Sequence, residues 1–77
     1  MQMLRTNPLN AQVWLDDLFS AKAVEKGGVV RRAIRDVERE IGRSTLVAEV
    51  RRRGFHLIEC GGQFIVICNV GHMQVIC

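Results

Sequence analysis

The sequence predicts a small α+β domain: three helices, two long and one short, followed by a three-stranded antiparallel meander with the helices packed on one sheet face. Three observations carry this expectation. Apolar residues recur at helical spacing as far as Ile41, β-favouring residues take over from Phe55, and Gly61-Gly62 separates two such runs. A Gly-Gly pair between apolar runs is a strong signal for a two-residue hairpin.

The first helix is expected from Asn10, a good N-cap, to about Lys26, after a flexible or extended lead over residues 1–9. Trp14, Leu15, Leu18, Phe19 and Ala21 share one face, with Asp16, Asp17 and Ser20 opposite. Gly27-Gly28 ends it. A second helix is expected from Val29 or Val30 to Ile41, because Val30, Ala33, Ile34, Val37 and Ile41 form an apolar stripe. Its other face would carry Arg31, Arg35 and Arg39 in one row. Ser44 is a plausible N-cap for a short third helix over residues 45–53, buried through Leu46, Val47 and Val50 and closed by Gly54. The basic run Arg51-Arg52-Arg53 in its last turn suits the negative end of the helix dipole.

The hairpin turn sets the register of the strands around it. Cys60 then faces Gln63, Ile58 faces Ile65 and Leu57 faces Val66. One face presents Phe55, Leu57, Phe64, Val66 and Cys68, apolar enough to form a core. The other presents His56, Ile58, Cys60, Gln63, Ile65, Ile67 and Asn69. A turn at Val70-Gly71 and a last strand over residues 73–77 would add Ile76 to this second face. Ile58, Ile65, Ile67 and Ile76 make an apolar patch of a kind that marks an interface on a small protein.

Composition bounds the function. With 77 residues, 48% hydrophobic and 25% charged, the chain holds one globular domain. No apolar run approaches the ~20 residues of a membrane helix, so no membrane partner is expected and a cytoplasmic location is. Cys60, Cys68 and Cys77 cannot all pair within one chain and follow no motif spacing, so reduced thiols are expected. There is no glycine-rich phosphate loop and no GxSxG. His56 and Cys60 stand four residues apart on a strand, too far to share a metal ion. No enzyme activity, catalytic residue, metal or cofactor is expected.

The net charge of +3 conceals a concentration. Between Arg31 and Arg53 eight arginines meet only Asp36, Glu38, Glu40 and Glu49. Arginine favours bidentate contact with phosphate or carboxylate, so Arg31, Arg35, Arg39, Arg51, Arg52 and Arg53 are candidate nucleic-acid or anion contacts. Helices followed by a hairpin, with Arg51-Arg52-Arg53-Gly54 leading into it, resemble the helix-helix-wing order of winged-helix DNA binders. The third helix departs from that pattern in offering base edges chiefly Ala48, Glu49 and arginines.

Longer strings carry a second resemblance: residues 13–23 (VWLDDLFSAKA), Gly27-Gly28-Val29-Val30-Arg31-Arg32, Arg53-Gly54-Phe55-His56 and Gly61-Gly62-Gln63-Phe64. They look like a family of short alphaproteobacterial proteins, some labelled phosphoribosylanthranilate isomerase. That isomerase is a (β/α)₈ barrel of ~200 residues or more, so the activity does not transfer to a chain of this length. The function expected first is a non-enzymatic interaction module that forms a homo-oligomer, or meets a protein partner, through its sheet. The alternative is a nucleic-acid-binding protein using the arginine-rich helices of residues 30–53.

Overall fold

The computed structural model describes residues 8–77. In chain order they form α1 (Pro8–Phe19), α2 (Lys22–Glu25), β1 (Val29–Ala33), α3 (Ile34–Glu40), α4 (Arg43–Arg53), β2 (His56–Cys60) and β3 (Gln63–Ile67). The α+β class holds, as does the three-stranded antiparallel sheet. Its third strand is not the expected one.

Pro8 opens α1, where its missing N–H costs nothing, so the expected cap Asn10 lies inside the helix and the lead expected over residues 1–9 ends before Pro8. Residues 1–7 of that lead lie outside the described residues. The helix stops earlier than the apolar stripe suggests. Both the backbone N–H and the hydroxyl of Ser20 donate to the Asp17 carbonyl, at 3.3 and 2.8 Å, which tightens the last turn and turns the chain out of the helix. The single turn of α2 follows.

Residues 29–33, expected to begin the second helix, instead form β1 against β3, with Val30 opposite Val66 and Arg31 opposite Ile65. The sheet order is therefore β1-β3-β2, with the hairpin's second strand in the middle. This explains why residues 73–77 form no strand. In a meander they would lie beside β3, and β1 occupies that place. The predicted hairpin register holds, with Cys60 opposite Gln63, Ile58 opposite Ile65 and Leu57 opposite Val66.

The expected inner face is the buried one. Phe64, Val66 and Cys68 join Val30 from β1, Leu15, Leu18 and Phe19 from α1, Val37 and Ile41 around α3, and Leu46 and Val50 from α4 in one core. Burial raises the Cys68 thiol above its ordinary pKa, so it behaves as a small apolar side chain.

Helix α3 passes into α4 through Ile41 and Gly42, not through the cap expected at Ser44. Gly42 sits at φ 86°, a conformation that L side chains resist, and no atom lies within 4 Å of where a Cβ would stand. Gly42→Ala should therefore cost about 1 to 3 kcal/mol, all of it backbone strain, and Gly42→Asn about as much, because φ 86° with ψ 150° lies outside the left-handed helical region that asparagine tolerates. A Gly42→Asn urea midpoint close to that of the native chain would contradict this. At the other end α4 closes on Gly54 at φ 74°, where Gly54 and Phe55 donate to the carbonyls of Arg51 and Val50 in a Schellman turn. That turn aims the chain into β2.

Candidate nucleic-acid interface

Helices α3 and α4 form a helix-turn-helix pair joined by a short glycine-containing turn. Leu46 and Val50 hold α4 on the core, and this leaves Ser44, Ala48, Arg51 and Arg52 exposed on its opposite side. At 100° per residue Ser44, Ala48 and Arg51 fall within an arc of about 60°, with Arg52 beside them. Two small residues and an arginine along one helical stripe leave that surface able to approach another molecule closely. At the start of α4, Arg43 donates to Glu59 of β2 at 2.9 Å, and its guanidinium carbon stands 5.2 Å from the Phe64 ring centre. Helix and hairpin are thus braced together where the stripe begins.

The arginines predicted as one group divide into several. Arg31 lies on β1, where its pairing with Ile65 puts it on the outer sheet face, so the helical row of Arg31, Arg35 and Arg39 does not exist. Arg31 has no ion-pair partner among the described residues. Arg35 and Arg39 do share α3. Arg39 reaches Asp36 at 3.3 Å and Glu40 at 3.2 Å, while Arg35 has only a 3.8 Å approach to Asp36 and is almost fully exposed. Exposed pairs of this kind exchange readily for another anion.

The triplet at the end of α4 splits by role. Glu49 takes two hydrogen bonds from Arg52, at 2.5 and 3.2 Å, and one from Arg53 at 2.7 Å. Arg53 also lies over the Phe19 ring at 4.1 Å, and that ring stands 6.3 Å from Phe55. Arg53 is thereby committed to packing α1 against the lead into β2. Arg51 forms no ion pair among the described residues and is exposed. Helical spacing pairs Glu49 with Arg52 and Arg53 and leaves Arg51 out, but it does not separate Arg53 from Arg52, which the position of Phe19 does.

The hydrogen bond from Arg52, ahead of that from Arg53, holds the Glu49 carboxyl below the ordinary carboxylate pKa, against an opposing push from burial. A carboxylate whose native pKa is depressed stabilises the fold above its unfolded value, about 4.3, and loses that contribution as pH falls through the native value. Glu49→Gln should accordingly lower the urea midpoint at neutral pH. The gap from the native chain should close on acidification below about pH 4. A gap that stayed constant with pH would assign the loss to packing.

A groove of about 360 Å³ runs between α4 and β2, lined by Val47, Val50, Phe55, Leu57, Phe64 and Met73, with Arg43, Arg51, His56 and Glu59 among its polar members. The Arg43–Glu59 pair closes on itself. His56 is tied by its Nε2 to the Gly71 carbonyl at 2.7 Å. Among the described residues no group of three His, Cys, Asp or Glu could hold a metal ion, and no helix is long and apolar enough to cross a membrane.

The candidate protein interface is partly assembled. Ile58, Ile65 and Ile67 share the outer sheet face, joined by Val29 opposite Ile67, which the sequence does not place there. Ile58 is 38% exposed, and Ile65 and Ile67 are half-buried. Ile76 does not join them as a strand residue; it lies beyond the sheet and is exposed. Compared with protein-family models, curated proteins and solved structures, the chain matches none.

Proposed function

We propose that this chain is a non-enzymatic protein that binds double-stranded DNA by laying α4 in the major groove. The observation that carries this is the α3-turn-α4 pair, whose second helix has its inner side in the core and its outer side free, small and basic. In helix-turn-helix proteins the second helix enters the groove and the first crosses the backbone. By that analogy Ser44, Ala48 and Arg51 face base edges, and Arg35, Arg39 and Arg52 face phosphates. Arginine reads guanine O6 and N7, serine is permissive and alanine meets the thymine methyl.

Apart from the single turn of α2, the order helix, strand, helix, helix, strand, strand, with the first strand beside the last, is also that of winged-helix DNA binders. The likeness is one of topology and adds support only as analogy. B-form DNA is favoured over duplex RNA because the A-form major groove is too deep and narrow for a helix to read.

Fluorescence anisotropy with a mixed set of labelled DNA duplexes at low salt tests the proposal. Binding should weaken as salt rises, with a log–log slope of about −3 if Arg35, Arg39 and Arg52 each meet a phosphate. Duplex RNA should bind more weakly. No binding at low salt, or equal affinity for duplex RNA, would overturn it.

A further inference from the structure

We propose that the chain self-associates by strand addition, residues 73–77 of one copy pairing with the open edge of β2 in a second copy, along the groove that β2 shares with α4. This does not rest on the DNA-binding proposal. It starts from the two edges of the sheet, β1 and β2, which differ in how they are protected. Exposed sheet edges template pairing with other chains unless charge, proline or a covering element blocks them. The β1 edge carries Arg31, exposed and without an ion pair among the described residues. The only charge on β2 is Glu59, and Arg43 draws it back towards α4.

The hairpin register says which groups are on offer. Across a two-residue turn the closing pair exchanges hydrogen bonds and alternate pairs follow suit, so Cys60, Ile58 and His56 bond towards β3. Leu57 and Glu59 then turn their N–H and C=O groups to the open edge. Among the described residues no strand lies beyond them.

Residues 73–77 fit this edge. They hold no Asp, Glu, Lys or Arg, and they alternate Met73, Val75 and Cys77 with Gln74 and Ile76. Val75 and Ile76 are 75% and 83% exposed, and residues 72–77 make no backbone hydrogen bond to any described residue. Met73 already lines the groove beside Leu57, so the site accepts a side chain of this segment. Gly71 is held at His56, the first residue of β2, and Met73 stands in the groove with Leu57, so pairing of the segment with its own β2 would be parallel. A second copy can enter antiparallel, which gives the better hydrogen-bond pattern, and reciprocal exchange closes a two-fold dimer. An interface through the outer isoleucines is less favoured, because it would bring the two copies of Arg31 together with no acid on that face to meet them.

Sedimentation equilibrium of the whole chain under reducing conditions, from micromolar to millimolar, combined with amide exchange, tests the proposal. A dimer is expected, with protection at Leu57 and Glu59 rising as concentration rises. Val75→Pro removes a ladder donor outside the core and should weaken association about tenfold or more at unchanged far-ultraviolet circular dichroism. Ile65→Lys should leave the dimer intact. A strict monomer at millimolar concentration would overturn the proposal. So would a dimer whose Leu57 and Glu59 amides stay unprotected, or one that Ile65→Lys breaks and Val75→Pro does not.

Discussion

Phe64→Ala is expected to remove most of the stability of this domain, while Ile58→Ala, on the adjacent strand, is expected to cost under about 1 kcal/mol. Phe64, the second residue of the middle strand, is 1% exposed, with Arg43 over its ring and the core below. Large-to-small changes of a buried phenylalanine cost about 3 to 5 kcal/mol through lost transfer energy and the cavity left behind. A chain of this length has a total of only about 4 to 11 kcal/mol to lose. Ile58 lies on the outer face and is partly solvated already. Urea unfolding followed by the fluorescence of Trp14, which packs against the core, measures both. Comparable losses at the two sites would mean that the outer face is covered in solution.

Charge reversal at both Arg51 and Arg52 is expected to reduce DNA affinity about a hundredfold or more at low salt and to flatten the salt slope by about 1, the share of the Arg52 phosphate contact. Two favourable phosphate or base contacts become two repulsions on the side of α4 that faces away from the core. The fold should survive, because Glu49 keeps its bond from Arg53. Two controls make the result specific. Arg31→Gln, on the outer sheet face, should leave binding and slope unchanged. Arg53→Gln should lower the urea midpoint, since Arg53 bridges Glu49 and the Phe19 ring, and should change the slope little. Equal effects of all three changes on affinity would point to net charge instead of a site on α4.

The two candidate surfaces were legible to different degrees. The arginine cluster stands out in the sequence as a composition, but its division into Arg53 for packing, Arg52 for Glu49, Arg31 for the sheet and Arg51 for solvent does not. The role of Arg53 depends on Phe19, distant in sequence, and that of Arg31 on a segment that pairs as a strand, whereas the bond of Arg52 to Glu49 lies at helical spacing. The outer isoleucines were legible from the hairpin alone, because the turn links register to face. Ile76 was misplaced with the last strand.

Local physics accounts for the parts of the fold that were legible from residue order. The turn at Gly61-Gly62, the register around it, the burial of Phe64 and Val66 and the closing of α4 at Gly54 all follow from short-range rules of turn chemistry, alternation and glycine conformation. Only the tertiary structure decided the role of residues 29–33. Val30 and Ala33 fit the apolar stripe of a helix as well as they fit a strand, and short apolar segments are ambiguous on periodicity alone. The choice fell to β3, whose unbroken run Phe64-Ile65-Val66-Ile67-Cys68 suits a central strand and has two edges to pair. Filling the second edge with β1 left residues 73–77 without a place beside β3, moved Arg31 off the helices and set α3 and α4 as a pair. Hydrogen bonding between segments thirty or more residues apart made that decision, and no local pattern contains it.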